Sequence, residues 1–70
     1  MRLINAELKA LKEGNRYLVK AKGLTGFWYH LGIYVGSHEP KQKNIERSLV
    51  FTGEMFFRVS EIIEIKELID

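Results

Sequence analysis

Seventy residues, 46% hydrophobic and 29% charged, describe a globular chain with room for one small core and too little polarity for disorder. The sequence holds no cysteine, which excludes a disulfide framework and a thiolate zinc site. Eleven lysines and arginines against nine acids leave a net charge of +2, a weak pull towards polyanions.

The charges are segregated. Between Lys9 and Lys22, five basic residues (Lys9, Lys12, Arg16, Lys20, Lys22) meet one acid, Glu13, whereas Glu54, Glu61, Glu64, Glu67 and Asp70 outnumber Arg58 and Lys66 at the end. The ordinary reading of both runs is a solvated face. No apolar run reaches the roughly 20 residues of a membrane span, and Met1-Arg2-Leu3-Ile4-Asn5 lacks a signal-peptide core. A cytoplasmic location is the expectation.

In chain order, residues 5–13 are expected to form a short α-helix. Asn5 suits an N-cap, Glu7 the first turn and Lys12 the last; Ile4, Leu8 and Leu11 make one stripe, and Gly14 closes it. A strand over Leu3–Leu8 is the alternative, since Ile4, Ala6 and Leu8 also alternate. A first strand follows over 16–23, with Tyr17, Val19 and Ala21 on one side and Arg16, Leu18, Lys20 and Lys22 on the other.

The densest apolar run comes next, over 27–36. Its odd positions, Phe27, Tyr29, Leu31, Ile33 and Val35, read as a core face, and its even positions, Trp28, His30, Gly32 and Tyr34, as a second face. An odd-length loop, for instance Gly23 to Thr25, would set Val19 opposite Tyr29 and Lys20 opposite Trp28, keeping apolar residues together. A two-residue loop would set Lys22 against Phe27 and Lys20 against Tyr29, with lysines on the core face, so the odd register is the expectation.

Residues 37–44, with Pro40 and no apolar anchor, read as the least protected loop. Strands over 45–52 and 55–59 flank a two-residue Gly53-Glu54 turn that pairs Phe51 with Phe56 and Val50 with Phe57. One helical turn capped by Ser60 precedes a last strand over 62–68 with Ile63 and Ile65 inward. The expected core is Tyr29, Leu31, Ile33, Val50, Phe57, Ile63 and Ile65.

The reading is a single mainly-β domain over 1–70: a small five-stranded, partly open barrel with a short N-terminal α-helix. The element order and the ending Phe57-Arg58-Val59-Ser60-Glu61-Ile62-Ile63-Glu64-Ile65 resemble SH3-like and Sm-like barrels. That resemblance implies a fold and no function. The chain carries neither the acidic, aromatic-rich cluster that grips proline peptides in SH3 domains nor the Asp and Asn pattern of Sm RNA pockets.

Catalytic signals are sparse. His30, His38 and Glu39 could in principle share a metal, but their spacing fits a surface or cross-strand role better. Ser37, Ser48 and Ser60 sit in no nucleophile context. Gly23, Gly26, Gly32 and Gly36 are too dispersed to cradle phosphate, with Gly32 marking a bulge or close packing inside a strand. The expectation is a non-enzymatic chain with no metal, cofactor, small-molecule substrate or membrane.

The candidate binding set is Lys20, Lys22, Trp28, His30 and Tyr34 on one face, where bases could stack on Trp28 or Tyr34 while the lysines meet phosphates. The competing reading is that the N-terminal helix covers Trp28 and Tyr34. The weight falls on a protein-interaction or assembly module with a protein partner or a homo-oligomer, and nucleic-acid binding is the alternative. A stand-alone domain of this type would suit a phage or mobile-element protein.

Overall fold

A computed structural model describes residues 1–42 and 45–70. The chain is mainly β: six strands, Arg2–Asn5 (β1), Arg16–Lys22 (β2), Phe27–His38 (β3), Ser48–Phe51 (β4), Met55–Arg58 (β5) and Ile62–Ile69 (β6), form one antiparallel sheet in the order β1-β6-β2-β3-β4-β5. The sheet curls without closing. Among the described residues no helix is long and apolar enough to cross a membrane.

The expected N-terminal helix is absent. Residues 2–5 are instead a strand on β6, pairing Leu3 with Leu68 and Ile4 with Glu67, and only Leu8–Ala10 turns, as a single 3-10 turn. An isolated helix of two or three turns is marginal in water, whereas the free edge of the eight-residue β6 offers a ladder of backbone partners. Leu8 and Leu11 still pack against the core, Leu8 from the 3-10 turn and Leu11 from the extended residue that follows it.

The core lies inside the curl. Tyr17, Val19 and Ala21 from β2, Tyr34 from β3, Leu49 and Phe51 from β4, Phe57 from β5 and Ile65 from β6 are buried. Four rings hold its centre: Tyr17 meets Tyr34 edge-on at 6.3 Å, Tyr34 meets Phe51 at 5.5 Å, and Phe51 meets Phe57 at 5.8 Å. The buried Tyr17 hydroxyl accepts the Lys12 backbone N–H at 2.9 Å. Burial raises the phenol pKa above its ordinary value near 10, and that backbone hydrogen bond opposes the rise in part.

Of the seven expected core residues, Phe57 and Ile65 are buried and Val50 is half-buried, while Tyr29, Leu31, Ile33 and Ile63 are exposed. The β3 residues turn outward because the Gly23–Gly26 loop has an even length, closed by a hydrogen bond from the Gly23 N–H to the Gly26 carbonyl. That length pairs Lys22 with Phe27, Lys20 with Tyr29 and Val19 with His30. Tyr17, Val19 and Ala21 point inward, so the even positions of β3 must do so too. Ile63 turns out at a bulge, since β6 slips by one residue between the Lys20–Glu64 and Ala21–Ile62 pairs.

The β4–β5 hairpin also differs by one residue. Its turn spans Thr52, Gly53 and Glu54, with Gly53 at φ +86° and Glu54 at φ +59°, and it pairs Phe51 with Met55, Val50 with Phe56 and Leu49 with Phe57. A 3-10 turn over Val59–Glu61 precedes β6 as expected, but Ser60 is not its cap: the Glu61 carboxylate accepts the Arg58 N–H, and Glu46 accepts the N–H and the hydroxyl of Ser60. The expected loop over 37–44 begins later, because Ser37 and His38 extend β3; its residues 43 and 44 lie outside the described part of the chain.

Candidate interaction face

Twelve residues make β3 the longest strand and the hinge of the curl. Its first part pairs with β2 and its last part with β4, with a bulge between Tyr34 and Gly36. Phe27, Tyr29, Leu31, Ile33 and Val35 all point to the outer face, where they are between 40% and 63% exposed.

Both neighbours extend this column. On β2, Leu18 stands opposite Leu31, and Lys20 and Lys22 stand opposite Tyr29 and Phe27. The Lys20 ammonium lies 4.9 Å from the Phe27 ring centroid and 6.0 Å from that of Tyr29, so its stem and charge border the rings. On the other side, Val50 pairs with Gly36 beyond the bulge, and Phe56, 61% exposed, pairs with Val50. Arg16 at the flank is engaged by Asp70 at 3.0 Å, and Lys66 by Glu64 at 3.3 Å. Lys20 and Lys22 are thus the cations nearest the aromatic end of the column.

The inner side of the same strand differs. Trp28 lies against Phe57, with ring centroids 5.2 Å apart, and keeps about two fifths of its surface exposed. His30 also packs beside Phe57, and its Nε2 lies 2.9 Å from the Thr52 carbonyl, which orients the ring with the N–H on that nitrogen. A Cβ on Gly32 would come within 2.8 Å of the His30 Nε2 and 3.1 Å of the Thr52 hydroxyl, so this position has the close packing its strand-interior glycine suggested. The Thr52 N–H donates to the Ile33 carbonyl, and the Ile33 N–H donates to the Thr52 hydroxyl. The hairpin turn is pinned to β3 at that point.

The five residues singled out from sequence therefore separate. Lys20 and Lys22 stand at outer positions of β2 and Trp28, His30 and Tyr34 at inner positions of β3; of the five, only Lys22 and Trp28 meet, beside the β2–β3 loop. Among the described residues no helix covers Trp28; Phe57 lies against its ring. Where Trp28 emerges, it lines an open groove of about 450 Å³ with Lys22, Gly23, Leu24, Ser60 and Glu61.

His30 and His38 lie eight residues apart on one strand, on the order of 25 Å, so they cannot share an ion. Among the described residues no three His, Cys, Asp or Glu side chains are grouped to hold a metal.

Sequence reasoning missed Phe27, Tyr29, Leu31, Ile33 and Val35 as surface residues because it gave the most apolar column to the core. The signal that could have found them is the four-residue Gly-Leu-Thr-Gly loop, whose even length fixes which face of β3 shares a side with Tyr17 and Val19. No family model, curated protein or solved structure matches the chain.

Proposed function

We propose that this chain is a small non-catalytic interaction or assembly module that meets another protein surface through the outer face of β3. One observation carries the reading: five apolar side chains in an unbroken column, none less than 40% exposed. A single exposed leucine is ordinary on a protein surface, but a contiguous patch of this kind marks an interaction site. The order β6-β2-β3-β4-β5, with a 3-10 turn before the last strand, supports an SH3-like or Sm-like reading of the sheet.

A photo-reactive benzoylphenylalanine in place of Leu31 tests the proposal in cells that express the chain. The same group in place of Glu61, exposed on the 3-10 turn, is the control. Protein adducts at position 31 and none at 61 are expected. No adduct at 31, or equal labelling at both positions, would overturn the reading.

A second reading, nucleic-acid binding, draws on Lys20 and Lys22 beside Phe27 and Tyr29. Bases would stack on those two rings, rather than on Trp28 and Tyr34, while the lysines meet phosphates. Retention on single-stranded DNA or RNA that falls steeply between low and moderate salt would favour it. Absence of retention at low salt would remove it.

A further inference from the structure

From area and charge placement, we infer that the surface received by the outer face of β3 is that of a second copy of this chain, the two copies stacking β3 on β3 about a two-fold axis that runs along the strand. The inference rests on the proposed interaction role and adds the identity of the occupant.

The first argument is area. Phe27, Tyr29, Leu31, Ile33, Val35 and Phe56 together present on the order of 600 Å² of the 5319 Å² surface. Two such faces approach the lower end of stable protein interfaces, about 1,200 Å² in total. A second copy matches this patch with an equal one, as a closed two-fold interface requires. The buried core of eight hydrophobic side chains is small, and chains of this size commonly gain stability by associating.

Charge sets the axis. Arg16, Lys20 and Lys22 all lie on β2, on one flank of the column, while the β4 flank offers Val50 and beyond it Phe56. An axis across the strands would stack β2 on β2 and bring Lys20 over Arg16 of the other copy. An axis along β3 carries each β2 over the other copy's β4 side and keeps the cations apart. Each side chain of the column then faces its own counterpart, so Phe27 meets Phe27 and Leu31 meets Leu31.

Sedimentation of the purified full chain over the micromolar to millimolar range tests the dimer. Mass should rise with concentration to twice that of one chain, and Leu31→Asp should abolish the rise with the circular dichroism spectrum unchanged. A wild-type chain that stays monomeric throughout, or a folded Leu31→Asp that still dimerises, would overturn the inference. The axis is read from Phe27→Cys in this cysteine-free chain, using a short bis-maleimide: efficient cross-linking supports an axis along β3. Cross-linking only when Phe27→Cys is mixed with Val35→Cys overturns it. A monomeric chain whose position 31 still labels a different protein would leave the interaction role standing and remove the second copy alone.

Discussion

The two sides of β3 are built from the same strand and behave as opposites. The outer column, Phe27, Tyr29, Leu31, Ile33 and Val35, is the more apolar and is exposed; the inner column, Trp28, His30, Gly32 and Tyr34, is the more mixed and faces the core. Hydropathy alone ranks them in the wrong order. What decides is register, because a four-residue loop ties the inner side of β3 to Tyr17, Val19 and Ala21. The inside of a tightly curled sheet also has limited volume, and Gly32 is what lets the His30 ring and Thr52 fit there. Apolar surplus left on the outside of so small a fold is then a property to be explained by contact with something else.

The sharpest break in that comparison is expected at Phe57. It is buried against the rings of Trp28, His30 and Phe51, and Phe57→Ala should cost about 3–5 kcal/mol, most of the stability of a domain this small. Urea denaturation measures it; a loss under 1 kcal/mol would mean that the inner face is not the core.

Gly32→Ala comes next. The added Cβ would press on the His30 ring and the Thr52 hydroxyl, at 2.8 and 3.1 Å, next to the contacts that pin the hairpin turn to β3. A cost of about 1–3 kcal/mol is expected in the same denaturation experiment. A neutral result would show that the ring swings away freely.

The response to pH sharpens the comparison from β2. Tyr17 is buried, and its folded pKa is raised above about 10 chiefly by that burial. The folded state therefore holds the proton more tightly than the unfolded chain. The stability tied to this group is complete below about pH 10 and is lost as pH rises through the folded value. Alkaline melts followed with phenolate absorbance should show ionisation of a buried tyrosine coincident with unfolding. In Tyr17→Phe that coupled absorbance step should be missing.

Much of the fold is legible in the sequence, and the errors have local causes. Strand positions follow from alternation and the tight packing at Gly32 from residue type, whereas the 3-10 turn forms where expected but with Glu61, not Ser60, accepting the capping N–H. The N-terminal segment misleads because Ile4, Leu8 and Leu11 fit a helix, while the free edge of β6 that captures residues 2–5 exists only once the sheet is formed. Bulges at β6 and near Val35 reverse faces in the middle of strands, and nothing in Ile62-Ile63-Glu64 announces one. The expected single face for Lys20, Lys22, Trp28, His30 and Tyr34 is divided by the same register that exchanges the core. Lys20 borders Phe27 and Tyr29 on the outer face, while of the expected ring partners only Trp28 lies near a lysine, sharing a groove with Lys22.

The smallest expected effect is the one that separates the two columns most clearly. If Leu31 belonged to the core, Leu31→Ala would remove a buried side chain and cost about 2–5 kcal/mol. It stands 59% exposed on the outer face, opposite Leu18, so the substitution should change the stability of the monomer by no more than about 0.5 kcal/mol. The measurement must be made at low micromolar concentration, where self-association contributes little, because a dimer through this face would add stability that rises with concentration. Under those conditions Leu31→Ala and Phe57→Ala should differ by several kcal/mol although both remove a large apolar side chain from a strand of the same sheet. A large loss at Leu31 in the dilute chain would mean that the outer column is covered from within. The exposed apolar face, and the interaction role drawn from it, would then have to be given up.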